Sequence, residues 1–173
     1  MNAHKTLWLA LALSLTLWGC GYHLVGKGSS QLPPHLKTIA IPIFDNQSNE
    51  PALQRPFTEA LRRAFITDGR LRLVNDQSKA DLVMTGTLTR YSIRAVAFNN
   101  FDVAIEYWVY FGAEVKVVER VNNETYLDQT LDTRWDYVAD DSVISSEASR
   151  QEALTQAYRV LSQRLVSLVN DKF

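Results

Sequence analysis

The sequence predicts an α+β domain: a two-layer sandwich in which a mostly antiparallel sheet of four to five strands carries two amphipathic helices on one face. Three observations predict it. Long central segments alternate apolar and polar residues with period two, the mark of half-buried strands. One segment before them and one after repeat apolar residues at helical spacing. The whole chain, 173 residues with 46% apolar and 21% charged side chains, is too apolar for disorder and short enough for one domain. Two amphipathic helices and one amphipathic sheet bury each other most simply as two layers.

The first twenty residues read as an address rather than as structure. A short basic start ending at Lys5 precedes the apolar run Leu7 to Leu17. A permanent membrane span needs about 20 apolar residues, so this run is too short for one and fits the hydrophobic stretch of a signal peptide. Leu17-Trp-Gly-Cys20 then resembles the lipobox of bacterial lipoproteins. It implies cleavage after Gly19 and covalent acyl chains on Cys20. A buried helix ending in a core thiol is the alternative. It is outweighed by the N-terminal position, the basic head, and a single cysteine placed directly after a glycine. Two or more acyl chains, at about 0.8 kcal/mol per buried methylene, moor a protein stably. Residues 1–19 are thus read as leader, 20–36 as a lipidated tether rich in Gly, Ser and Pro, and 37–173 as the single domain.

Within that domain, Lys37 to Phe44 reads as a strand, with Ile39, Ile41 and Ile43 on one side and Pro42 marking an edge or a bulge. Asp45 to Glu50 is a polar loop that lacks the glycine and the twelfth-position glutamate of a calcium loop. Phe57, Ala60, Leu61, Ala64 and Phe65 predict a helix over Pro56 to Thr67, started by Pro56 and stopped by Gly69. A short strand follows from Arg70 to Val74. Beyond it Leu82, Met84 and Leu88 are apolar at even positions, whereas Tyr91 and Ile93 are odd, so a bulge or strong twist is expected between Leu88 and Tyr91. After a turn at Phe98 to Asp102, the odd residues from Val103 to Val117 form an unbroken apolar face. Asn122-Asn123 is a hairpin turn, and Leu127, Leu131, Trp135 and Tyr137 then alternate with Asp128, Asp132, Arg134 and Asp136. The last helix is expected from Val143 to Val169, with Ser145 or Ser146 as its cap.

Function classes narrow by exclusion. With 18 basic and 19 acidic residues the chain has no basic surplus for nucleic acid. One cysteine excludes an internal disulfide and a four-thiolate metal site, and no metal site is expected. No acid, base and nucleophile assemble, and there is no G-x-S-x-G elbow, so no catalytic residue is assigned and the protein is read as no enzyme. The acidic row at 128, 132 and 136, like Asp140-Asp141, reads as a solvated face. Trp108 and Tyr110 lie on the polar side of the long strand, beside Thr85, Thr87 and Thr89 of a neighbour. They are either a partner surface or a rim contact with the tether.

Three stretches carry a family resemblance: Cys20-Gly-Tyr-His-Leu-Val-Gly26, Leu32-Pro-Pro34, and Lys37-Thr-Ile-Ala-Ile-Pro-Ile-Phe-Asp-Asn46. They resemble the opening of the LptE family, lipopolysaccharide-assembly lipoproteins of the Gram-negative outer membrane. Phe57-Thr-Glu-Ala-Leu61, Ala80-Asp-Leu-Val-Met-Thr-Gly86 and the C-terminal helix follow the same layout. The resemblance implies a non-catalytic protein held by its lipid on the periplasmic face of the outer membrane. It implies a plug and folding partner of an LptD-type β-barrel, without a cofactor beyond the acyl chains. It also implies contact with lipopolysaccharide through basic residues near strand ends, for which Arg90, Arg94, Lys116, Arg120 and Arg134 are the candidates. The competing expectation is a lipoprotein accessory of another envelope secretion or transport machine.

Overall fold

The period-two segments become three long strands, and the two helical repeats become helices. The computed structural model describes residues 32–139 and 142–171; the leader, Gly19, Cys20, and Asp140-Asp141 lie outside the described residues. The order is β1 (Thr38–Ala40), β2 (Asp45–Asn46), α1 (Gln54–Asp68), β3 (Arg72–Leu73), a 3-10 turn (Gln77–Lys79), β4 (Leu82–Phe98), β5 (Ala104–Glu119), β6 (Glu124–Val138) and α2 (Val143–Asn170). The fold is the expected α+β, but the sheet has six strands and is mixed. Its order is β3-β1-β4-β5-β6, with β2 also pairing with β4. β4, β5 and β6 form the antiparallel meander, while β1 runs parallel to β3 and β4, and β2 parallel to β4. The parallel part follows from α1: a helix between two strands returns the chain in its original direction.

The strand expected to reach Phe44 stops at Ala40, ahead of Pro42, which has no N–H for a ladder. The freed carbonyl of Ile41 accepts from Arg62 Nε and Nη2 at 2.9 and 2.6 Å, so Arg62 turns back onto the sheet instead of facing outward. The polar loop contributes the two-residue strand β2, and Phe44 N–H donates to the buried Thr58 hydroxyl at 3.1 Å. Pro56 sits in the first turn of α1. Gly69, at φ 75°, ends it by donating to Phe65 O at 3.0 Å. α2 has Ser142 at its cap position with no side-chain bond, and Ser145 and Ser146 lie inside the helix, so neither is the cap.

The parity change in β4 is a register shift between Leu88 and Arg90, which puts Leu88 and Tyr91 on the same buried face. That face packs on α2 through Leu154, Ala157, Leu161, Leu165 and Val169, and on Phe57, Leu61 and Phe65 of α1. Phe57 is in ring contact with Phe44, Phe111 and Tyr158 at 5.4, 5.2 and 5.9 Å, joining both helices to β5. Leu32 and Leu36, at the end of the segment read as tether, already belong to this core.

The two layers differ in length. α2, with 28 residues, spans ~42 Å, whereas the 17 residues of β4 span ~56 Å. Burial on α2 begins only at Ala153. The odd face of β5 is therefore buried from Val109 to Val117, but Val103 and Ile105 are exposed. The molecule has two poles. At the base, His35 meets Glu119 at 3.2 Å, and the helices end side by side, Asn170 Nδ2 donating to Asp68 at 2.8 Å. At the tip, Phe98, Phe101, Val103, Ile105 and Val138 are exposed.

Candidate functional site

A strand that buries its odd residues must present its even ones to solvent. On β5 this places Trp108, Tyr110, Gly112, Glu114 and Lys116 on the outer sheet face. Register supplies their neighbours. One row across the meander is Arg94, Trp108 and Asp136; the next is Ser92, Tyr110 and Arg134; the third is Arg90, Gly112 and Asp132. The bulge at Thr89 sets these rows, because it returns Arg90 to the outer face after Leu88 has faced inward.

The rows bring three of the five candidate cations onto the two candidate aromatics. Arg134 Cζ lies 3.9 Å from the Trp108 ring centre, one row along from its register partner. Arg90 and Arg94 lie 4.9 and 5.9 Å from the centre of the Tyr110 ring. Trp108 and Tyr110 meet edge to face at 6.3 Å. A guanidinium stacked on a ring gains cation–π attraction and keeps its N–H edges turned outward as donors. Arg90 shares its charge with Asp132 at 3.7 Å; among the described residues, Arg94 and Arg134 have no ion-pair partner. Both rings are half-buried, and the arginines are exposed. The surface is a rigid aromatic strip with a cationic rim. It can hold planar or phosphorylated anions, or a partner face rich in acceptors.

Gly112 was not singled out by sequence. A side chain there would place Cβ 2.4 Å from Asp132 Oδ1 and 3.3 Å from Arg90 Cβ, so the Arg90–Asp132 pair can cross the strand only above a glycine. A glycine inside an otherwise alternating strand was the available signal. The other two candidates lie elsewhere. Lys116 is on the same face nearer the base, opposite Thr85 and Asp128, and it borders a groove of about 550 Å³ with Asp45, Glu114 and Gln77. Arg120 stands just beyond the end of β5, where its Nε donates to Ala80 O and its N–H to Asp81 O, at 2.8 and 2.9 Å. Among the described residues no cluster of three metal-ligating side chains occurs, and no helix is long and apolar enough to cross a membrane, which says nothing of β-barrels.

Several solved structures share this fold. A lipoprotein B from Nitrosomonas europaea superposes with a TM-score of 0.58 at 16% identity, covering 88% of this chain and 92% of that one. A minor lipoprotein from Acinetobacter baumannii gives 0.54 at 15% identity, over 81% and 95%. The rare lipoprotein B from Shewanella oneidensis gives 0.54 at 11% identity, over 75% and 94%. At these identities the likeness is one of fold. No curated protein sequence matches the chain. The family model described as LptE, lipopolysaccharide-assembly, matches residues 36–169, which is most of the chain and all but the ends of the described domain, and the protein therefore belongs to the LptE family.

Proposed function

We propose that this member of the family is an outer-membrane lipoprotein, acylated on Cys20, that plugs and helps to fold an LptD-type β-barrel during lipopolysaccharide transport to the cell surface. It performs no chemistry and carries no cofactor besides its acyl chains. It faces the periplasm, and its partners are the barrel, lipopolysaccharide and the membrane. The observation that carries this reading is the outer sheet face, where Arg90, Arg94 and Arg134 stand on Trp108 and Tyr110. The interior of an outer-membrane barrel is polar and wet. A plug for it needs an outer face that is polar yet ordered, and a strip of stacked guanidinium groups and rings on long strands is both. The same free N–H edges suit the phosphates of lipopolysaccharide.

Co-purification from detergent-solubilised outer membranes tests the partner. The native protein should bring down a large β-barrel, and a Trp108→Ala, Arg134→Ala variant should bring down markedly less while melting at the same temperature. Recovery of no barrel sinks the reading. An intact mass showing residue 20 unmodified with the leader attached sinks the anchoring part of it.

A further inference from the structure

The helix layer carries a second feature that the sheet-face function does not use. Between α1 and α2 runs an open groove of about 560 Å³, in the half of the layer nearer the base. Its floor is made of short side chains, Ala60 and Ala64 from α1 and Ser162 and Val166 from α2. A row of small residues lets two helices approach and leaves an apolar trough where longer side chains would have met.

The walls of the groove are cationic. Three arginines, Arg63, Arg70 and Arg159, line it against one acid, Asp68, although the chain as a whole has a net charge of −1. Arg70 is neutralised by Asp68 and Asp171, each at 2.8 Å, and closes the base end. The other two are available. Arg63 makes only a 3.8 Å contact with Glu59 in which both side chains are more than half exposed, an arrangement of little worth. Among the described residues Arg159 has no ion-pair partner. From Leu154 to Asn170, α2 carries Arg159 and Arg164 and no acid. An apolar trough between two exposed guanidinium groups is complementary to a chain that is greasy along its length and anionic at one end.

The place of the groove fits that ligand. The chain enters the domain at the base, where Leu32 and Leu36 are buried and His35 lies against Glu119. Cys20 is twelve residues upstream of Leu32, a reach of at most ~40 Å. A lipid anchor there leaves the headgroups of the leaflet within that reach of the point where the chain enters the base. We infer that the α1–α2 groove holds an anionic phospholipid, one acyl chain along Ala60, Ala64 and Val166 and its phosphate between Arg63 and Arg159. This inference rests on the anchoring part of the proposed function for its placement, and on the groove alone for its chemistry.

The test uses the full protein extracted from membranes and reconstituted into phosphatidylcholine nanodiscs containing phosphatidylglycerol with a diazirine on its acyl chain. After illumination, crosslinked peptides are mapped by mass spectrometry, and the intact mass of the same sample reads the state of residue 20. Crosslinks should fall on 60–67 and 155–166, about tenfold above those obtained when phosphatidylcholine carries the diazirine. The double variant Arg63→Glu, Arg159→Glu should lose about tenfold while melting unchanged. Both arginines are at the surface, so the fold does not depend on them. An acylated protein with no groove crosslinks, with equal labelling by the two lipids, or with an indifferent double variant overturns the inference and leaves the anchoring reading standing. An unacylated residue 20 overturns the anchoring reading and the placement with it.

Discussion

Asp81 shows how much one side chain can do in a fold with so short a first strand. Its carboxylate accepts from the N–H groups of Lys37 and Thr38, both at 2.9 Å, and from the Thr38 hydroxyl at 2.7 Å, while its own N–H donates to that hydroxyl at 2.9 Å. This clasp fixes β1 against the start of β4, where only Ile39 and Ala40 pair across. Burial works to raise the carboxyl pKa, but the bonds from Lys37 and Thr38, with Arg120 nearby, outweigh it and hold the group below its ordinary value. The sign follows from linkage. A carboxyl whose pKa is depressed on folding adds stability above its unfolded pKa of ~3.9, and that stability is lost as pH falls through the lower folded value. Asp81→Asn should therefore lower stability by roughly 1–3 kcal/mol at neutral pH, the scale of hydrogen bonds to a charged group. Thermal melts of the two proteins should converge as the pH drops below that of the unfolded carboxyl. A gap that stays constant across the range means the charge contributes nothing.

At the scale of elements, β4 decides where everything else sits. Gly86 faces the core there: a Cβ would lie 2.3 Å from the Phe44 ring and 2.7 Å from the carbonyl of Glu114. The ring can yield but the backbone of β5 cannot, and Phe44 is itself packed edge-on against Phe57. Gly86→Ala should cost roughly 1–3 kcal/mol by overpacking, read as a lowered denaturant midpoint with the slope unchanged. Val109→Asp, which puts an unpaired charge on the fully buried face of β5, should abolish the cooperative transition altogether. Much of this element was legible beforehand. The parity change between Leu88 and Tyr91 announced the bulge, and the odd face of β5 announced the core. β3, Arg72–Leu73, falls inside the short strand expected over Arg70 to Val74, whereas the two-residue strand β2 lay in what read as a polar loop, because two residues carry no period. The convergence of Arg90, Arg94 and Arg134 on two rings was not legible. Each residue could be seen as outward-facing, but which outward residues meet depends on cross-strand register, and the bulge at Thr89 shifts it. The bond from Arg120 to the Ala80 carbonyl was not legible for a related reason: the two residues are forty apart in the chain.

The molecule as a whole has two unlike poles, and the difference comes from the mismatch in length between its layers. At the base the helices end together, and Arg70, Asp68, Asn170 and Asp171 tie their ends. At the tip the sheet outruns the helix layer and leaves Phe98, Phe101, Val103 and Ile105 at the surface, Phe101 at 85% exposure. Single exposed apolar residues are ordinary, but several at one pole of a small domain mark a surface that is covered in use. The turn that carries them is ordered by Asn99, whose side-chain oxygen accepts from the N–H groups of Phe101 and Val103 at 2.9 and 3.1 Å. The apolar side chains are therefore held outward by the backbone and are not needed to form the turn. Replacing Phe98 and Phe101 by Ser together should accordingly leave stability within about 0.5 kcal/mol, as expected for surface sites. The same variant should lower the fraction of protein recovered with its barrel partner, since the tip is the part of the proposed plug farthest from the entry of the chain. Thermal melting and quantitative co-purification, run on one preparation, separate the two effects. A tip variant that melts early shows these rings to be part of the core after all, and one that melts normally and still recovers the barrel in full removes the tip from the interface.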